Sequence, residues 1–211
     1  MKSKNEIQQI CDILRKAYPD VKTQLLHRNP FELLISTILS AQCTDRQVNG
    51  VTPALFRVYP TPDALARAPI KKIEALIRPT GFFHNKARNI RACAAALVDR
   101  YGGVVPHGIE ELVALPGVGR KTANVVRSAA FGQAAVVVDT HVKRISRRLG
   151  LTRHEDPVKI EFDLMAKVPE AEWNDLGLRM IYFGRETCRA RKPDCPNCPL
   201  FDLCDYPEKT A

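Results

Sequence analysis

The 211-residue sequence contains no apolar run that approaches the roughly 20 residues a membrane-spanning helix requires. Residues 1–6 lack the apolar core of a secretory signal peptide. The chain also has no internal repeat, no low-complexity tract and no sustained alternation of apolar and polar residues, which is the pattern of half-buried strands. These absences predict a cytosolic, all-α protein.

A disulfide framework is also missing from the sequence. Three of the seven cysteines, Cys11, Cys43 and Cys93, are scattered through helical stretches, and the other four crowd residues 188–204. An odd number of cysteines in this distribution indicates buried thiols and one metal centre, rather than stabilisation by disulfides.

Negative charge is under-represented relative to positive charge. The chain has 32 Lys and Arg against 23 Asp and Glu, which gives a formal net charge of +9, and 45% of its residues are hydrophobic. Such a chain has enough apolar side chains for a core, and its excess of positive charge favours a polyanionic partner, with nucleic acid as the first candidate.

Apolar residues recur at helical spacing through most of the chain. The first such segment runs from Ile7 to Tyr18 and ends at Pro19. Asn29 then supplies an N-cap and Pro30 a first helical residue. Further helices are predicted after Thr44 or Asp45, at 62–68, at 70–77, at 85–101, on both sides of residues 116–119, and from 140 to 150.

Residues 112–131 predict a helix, a tight glycine turn and a second helix. Gly117 and Gly119 can adopt positive φ and carry no Cβ, so backbone N–H groups of the turn can point at an anion such as a DNA phosphate. Lys121 lies in the first turn of the second helix, where the helix dipole disfavours an ammonium and favours a nucleophilic amine. The alternative is an ordinary turn with a solvated lysine.

Two further segments carry candidate functional groups. Asp139 follows the buried run 136–138 at the start of a helix, where it is either an N-cap or a functional carboxylate. Four cysteines within seventeen residues favour one metal centre, either a zinc ion or an iron–sulfur cluster. These are Cys188, Cys195, Cys198 and Cys204.

Three features resemble the endonuclease III family of helix-hairpin-helix DNA glycosylases. They are the sequence Leu-Pro-Gly-Val-Gly-Arg-Lys-Thr-Ala at 115–123, the sequence Val-Asp-Thr-His-Val at 138–142, and the spacing of the four C-terminal cysteines. The resemblance covers nearly the whole chain. It implies a six-helix barrel domain at 23–134 that includes the hairpin, and a second helical domain at 1–22 and 135–211 that carries a [4Fe–4S] cluster loop, with DNA in the cleft between them.

The resemblance also assigns roles to individual residues. It places the catalytic lysine at Lys121 and the catalytic aspartate at Asp139, facing each other across the cleft. A carboxylate there would stabilise the positive charge that develops at C1′ and help the lysine to lose its proton. Cys188, Cys195, Cys198 and Cys204 match the cluster ligands, whereas His141 is expected to be structural.

DNA contacts are implied at five positions. Gln42 and Phe82 match the residues that insert into the duplex when a nucleotide is extruded, although the family often has leucine at the second position. Gly117 and Gly119 would bind phosphate through the hairpin, and Arg191 through the basic loop between the first two cysteines. The alternatives are a core aromatic for Phe82 and a solvated charge run for the loop.

The implied activity is base excision repair. We expect a monomeric, cytoplasmic, nucleoid-associated enzyme that removes oxidised pyrimidines from duplex DNA and cleaves abasic sites by β-elimination. One alternative is an adenine-specific mismatch glycosylase, but that family has glutamate where this chain has Thr37, lacks a lysine at the position of Lys121 and has a further C-terminal domain, which this chain is expected to lack. The other alternative is a non-catalytic DNA-binding hairpin module.

Overall fold

A computed structural model of the protein describes residues 2–209. Met1, Thr210 and Ala211, at the ends of the predicted second domain, lie outside the described residues. Within the described range the regular structure comprises eleven α-helices and two short 3₁₀ turns without any strand, which confirms the all-α prediction. No helix in this range is long and apolar enough to cross a membrane. The helices are α1 Lys4–Ala17, α2 Pro30–Leu39, α3 Asp45–Val58, α4 Pro62–Ala66, α5 Ile70–Ile77, α6 Phe83–Tyr101, α7 Ile109–Val113, α8 Arg120–Phe131, α9 Thr140–Arg148, α10 Pro157–Lys167 and α11 Trp173–Glu186.

The chain divides into two compact units, each with its own hydrophobic core. Residues 23–133 form one unit, with helices α2 to α8. The other unit combines residues 2–22 with 134–209 and contains α1, α9, α10 and α11.

Helix α2 is the central element of the unit 23–133. Asn29 caps it by accepting a hydrogen bond from the backbone N–H of Glu32, and every residue of the helix after Pro30 is buried. A helix that is buried on all sides must be surrounded by other elements of its unit. Helix α4 packs against α6. Helix α8, the second helix of the predicted hairpin, packs against α2 and is thereby supported by the core of its unit.

Helix α11 is the corresponding element of the other unit. It packs against α1 and α9, and its buried side chains include Leu176, Met180 and Phe183. Helix α1 contributes an apolar stripe and begins with a capping box between Ser3 and Glu6. Residues 187–209, which contain the four clustered cysteines, follow α11 without forming another helix.

Five helices differ from the sequence prediction. Helix α4 ends at Ala66 and helix α9 ends at Arg148, each two residues before the predicted end. Helix α6 begins at Phe83, two residues earlier than expected, directly after a residue in the left-handed conformation. Helices α10 and α11 were not predicted. Asp156 and Pro157 are ordinary start signals for α10, whereas Gly177 and buried Arg179 interrupt the apolar pattern of α11.

Candidate functional site

Helices α7 and α8 form the hairpin that the sequence predicts. Gly117 has φ 77°, and a Cβ there would lie 2.9 Å from the Cβ of Asn89, so both conformation and space require glycine. Gly119 differs from the expectation of positive φ, because its φ of −94° is ordinary extended backbone at the N-cap of α8. A Cβ at Gly119 would meet no described atom within 4 Å, so no packing contact in residues 2–209 explains the glycine. The position is open to a partner that approaches the backbone closely.

The first turn of α8 carries Lys121. The helix begins without a side-chain cap, so its first N–H groups are available to an external acceptor more readily than those of a capped helix. Lys121 is exposed, and no described residue forms a hydrogen bond or an ion pair with its amine. The amine is therefore accessible to a substrate from outside the protein.

Asp139 caps α9, which confirms the capping interpretation. Its Oδ1 accepts hydrogen bonds from the backbone N–H groups of His141 and Val142, both at 2.8 Å. Its Oδ2 lies 3.0 Å from Nδ1 of His141. The Asp139 side chain is 12% exposed to solvent. The capping bonds use one oxygen and fix the orientation of the other, so a cap and a functional carboxylate are compatible in one residue.

His141 is held in place by the close packing of α9 on α11. A Cβ at Gly184 would lie 2.9 Å from Cδ2 of His141, from Nη2 of Arg144 and from Cδ1 of Ile145. Only glycine permits this approach, because any larger side chain would displace the residues beside the Asp139 cap.

The four C-terminal cysteines line one cavity, which is partly open to solvent. No three His, Cys, Asp or Glu side chains of residues 2–209 are grouped as the ligands of a metal ion. Four thiols that line one cavity form a donor set of the kind that holds an iron–sulfur cluster.

The surroundings of these thiols also fit a bound metal centre. Burial raises the pKa of Cys198 to about 11 and raises the pKa of Cys204, while backbone N–H groups of Leu200 and Tyr206 partly oppose these shifts. Positive charge nearby would stabilise the thiolate forms of these cysteines, and a bound metal centre would supply it. Arg148 is part of the same environment, because its Nη1 donates to Sγ of Cys188 at 3.3 Å.

Two arginines of α9 hold the loop that follows Cys188, and neither was predicted from the sequence. Nη2 of Arg144 donates to the carbonyl of Cys188 at 3.0 Å, and Arg148 donates to the carbonyl of Arg189 at 2.8 Å. Arg191 is exposed, and no described residue pairs with its guanidinium. The loop is thus fixed through its backbone while the Arg191 side chain remains accessible. The only sequence signal for the two α9 residues was their spacing of one helical turn.

Gln42 and Phe82 adopt the left-handed backbone conformation, with φ of 52° and 47°. Positive φ in such residues costs on the order of 1–3 kcal/mol and is concentrated at functional sites. Gln42 is exposed to solvent, and Phe82 is 66% exposed. The alternative that Phe82 is a core aromatic is therefore wrong. Both residues belong to the unit 23–133 and present their side chains to solvent.

Comparisons with known proteins agree with this arrangement. The family model of the HhH-GPD superfamily of base excision DNA repair proteins matches residues 35–170. Endonuclease III of Synechocystis sp. is 52% identical over 202 residues, which cover 95% of this chain and 92% of that protein. Endonuclease III of Bacillus subtilis is 45% identical over 205 residues, covering 97% of this chain and 94% of that protein.

A solved structure of a trapped endonuclease III–DNA covalent intermediate, an estranged-adenine complex, has a TM-score of 0.92 to this chain. It is 50% identical and covers 97% of both chains. Because the similarity extends over almost the full length in both sequence and fold, the chain belongs to the endonuclease III family of base excision DNA repair proteins.

Proposed function

We propose that this protein is a bifunctional DNA glycosylase that removes oxidised pyrimidines from duplex DNA and cleaves abasic sites as an AP lyase, acting in the cytoplasm at the nucleoid. The observation that carries the proposal is the position of Lys121. It is an exposed amine without a partner among residues 2–209, and it lies in the first turn of the second hairpin helix in a chain of the endonuclease III family.

Lys121 is the nucleophile in this proposal. Its neutral amine forms a bond to C1′ as the glycosidic bond to the damaged base breaks, and the base leaves with the electron pair. Opening of the C1′–O4′ bond then produces a Schiff base. Loss of a proton from C2′ breaks the C3′–O3′ bond, and hydrolysis releases the lysine. The trapped covalent intermediate of the related endonuclease III supports covalent chemistry of this kind.

Asp139 acts in the step that breaks the glycosidic bond. Positive charge develops at C1′ in the transition state, and a carboxylate stabilises it most when its orientation is already fixed. The capping bonds to His141 and Val142 provide this fixed orientation. The same carboxylate favours transfer of a proton away from the attacking amine.

Several exposed features would hold the duplex while the nucleotide is extruded. The uncapped N–H groups after Gly119 and the guanidinium of Arg191 are suited to phosphates. Phe82 would stack between bases as a wedge, and Gln42 would occupy space that the extruded nucleotide vacates. The predicted partner is duplex DNA that contains an oxidised pyrimidine or an abasic site, bound by a monomer.

We assign a [4Fe–4S] cluster to Cys188, Cys195, Cys198 and Cys204. Bound there, the cluster supplies folding free energy to the C-terminal segment, and no step of the proposed reaction requires it to transfer an electron. Its effect on DNA binding is indirect, because it shares its cavity with Arg148, which holds the carbonyls of the basic loop.

The test is reduction with borohydride in the presence of a duplex that contains one oxidised pyrimidine. The unsubstituted protein should form a covalent adduct with the damaged strand, and Lys121→Gln should form none. Lys71→Gln is a matched control, because Lys71 is also the exposed second residue of a helix without a side-chain cap. A Lys121→Gln protein that still forms the adduct at the same site would refute the assignment of the nucleophile.

Borohydride reduction also distinguishes the proposed activity from a mismatch glycosylase and from a non-catalytic DNA-binding module. An adenine-specific mismatch glycosylase needs a carboxylate where this chain has Thr37, which is buried and donates its hydroxyl to the carbonyl of Leu33 at 2.7 Å. Excision of undamaged adenine from a mismatch without adduct formation would favour that activity. A protein that binds duplex DNA but neither cleaves nor cross-links it would favour a non-catalytic module.

A further inference from the structure

Lys86 is a buried lysine with an unfavourable environment. The residue is 5% exposed, and its Nζ donates to the backbone carbonyl of Thr80 at 2.8 Å. No described residue supplies a carboxylate to it, and burial lowers its pKa. It also lies in the first turn of α6, where the helix dipole disfavours positive charge.

A charge retained under these conditions calls for a reason beyond packing. Burying an ammonium without a counter-ion is costly, and an apolar side chain of similar length would fill the same volume without that cost. What the ammonium provides, and an apolar side chain would not, is a strong hydrogen bond to one particular carbonyl.

That carbonyl belongs to the strained turn that presents Phe82. The backbone N–H of Lys86 donates to the carbonyl of Phe82 at 3.1 Å, while its Nζ reaches Thr80 on the other side of the turn. Gly81, between them, has φ 69°. Lys86 therefore holds the backbone both before and at Phe82, whose α6 N-cap position has no side-chain hydrogen bond of its own.

We propose that Lys86 is a positioning residue that fixes the turn 80–82, so that the Phe82 ring is held in place for insertion into the duplex at the lesion. The inference rests on the proposed function, since it concerns how that activity selects damaged sites. Lys86 itself does not touch the nucleotide. Its effect is transmitted through the carbonyl of Thr80 and the conformation of Phe82.

The experiment is a double-mutant cycle with Lys86→Met and Phe82→Ala. The probe is a duplex with a tetrahydrofuran abasic analogue opposite 2-aminopurine, whose fluorescence rises when the base is unstacked. The measurements are this fluorescence change and the ratio of Kd for undamaged duplex to Kd for the abasic duplex. Lys72→Met is the matched control, because it removes the same charge from an exposed position in the same unit.

Lys86→Met should lower the preference for the abasic duplex about tenfold, the effect of losing one charge-assisted hydrogen bond, and should reduce the fluorescence change. Phe82→Ala should have a similar effect, and the double variant should be no worse than Phe82→Ala alone. Lys72→Met should leave both readouts unchanged. Affinity for undamaged duplex should fall equally in the two lysine variants.

Additive effects of Lys86→Met and Phe82→Ala, or an unchanged preference in Lys86→Met, would overturn the inference while the proposed function stands. If the unsubstituted protein shows no preference for the abasic duplex, the proposed function itself fails. Should Lys86→Met not fold, Gly81→Ala provides the test, because a Cβ there meets no described atom within 4 Å but disfavours the positive φ of the turn. That variant should fold, with a Tm lowered only by the strain at one residue, and should lose the preference. An unchanged preference would again overturn the inference.

Discussion

Asp139 is both the cap of α9 and the proposed catalytic carboxylate, and two substitutions separate these roles. In the unsubstituted protein, Oδ1 accepts hydrogen bonds from the backbone N–H groups of His141 and Val142, both at 2.8 Å. In Asp139→Asn the amide oxygen can still accept both of these bonds. In Asp139→Ala both bonds are lost. Asparagine and aspartate are similar N-caps, whereas alanine in place of a capping residue costs about 1 to 2 kcal/mol of unfolding free energy.

The expected order of activities is different from the order of stabilities. Both substitutions remove the negative charge that stabilises C1′ in the transition state. Loss of one well-placed electrostatic group lowers a rate by about 10² to 10³-fold, which corresponds to about 2.7 to 4 kcal/mol. Asp139→Asn should therefore be as stable as the unsubstituted protein, within about 0.5 kcal/mol, yet nearly as inactive as Asp139→Ala.

The assay combines urea unfolding with single-turnover cleavage of an oxidised-pyrimidine duplex, which excludes effects on product release. Asp156 provides the control, because it caps α10 in the same unit by accepting the N–H of Lys159 at 3.0 Å. Asp156→Ala should lose stability as Asp139→Ala does, without losing the single-turnover rate.

One result would refute the catalytic role of Asp139. If Asp139→Asn keeps the full rate, and Asp139→Ala loses rate only in proportion to its unfolded fraction, the residue is a cap and nothing more. Equal loss of rate in Asp156→Ala would lead to the same conclusion, because it would show that cleavage depends on helix capping in general.

Three further predictions concern the basic loop, the metal centre and the helix contact. Arg191→Ala should make the slope of log K for duplex binding against log salt concentration shallower by just under one unit. The control is Arg57→Ala, at an exposed position in α3, which should leave this slope unchanged. The purified protein should be yellow-brown and contain about four irons per chain. Cys198→Ser should lose iron and duplex affinity together. A colourless protein that contains one zinc ion would contradict the cluster assignment. Gly184→Ala should lower the free energy of unfolding, measured in urea, by about 1 to 3 kcal/mol through overpacking. The control is Gly50→Ala, where a Cβ meets no described atom within 4 Å, and this variant should be as stable as the unsubstituted protein or more stable.

The helical class and most helix boundaries could be predicted from sequence because their causes are local. Asn29 caps α2 and Thr44 caps α3 through bonds that span three residues, and the apolar repeat of each helix is a property of its own segment. The same holds for the hairpin turn at Gly117. Helix α11 was missed because its glycines and buried Arg179 break the local pattern and are explained only by neighbours.

The candidate residues were also visible in sequence, but their conformations were not. The spacing of the cysteines indicated one metal centre, and the motif around Lys121 indicated the hairpin. The left-handed backbone of Gln42 and Phe82 could not be predicted, because glutamine and phenylalanine do not favour it and only the surrounding structure maintains it.

What the sequence by itself determined is therefore the set of helices, their caps and the chemistry available to the site. Tertiary structure alone decided how that chemistry is held. Arg144 and Arg148 bind carbonyls about forty residues away, Gly184 admits the side chains of another helix, and Lys86 is buried beneath a strained turn. These contacts depend on which surfaces pack together, and packing is a property of the whole folded unit that no local pattern encodes.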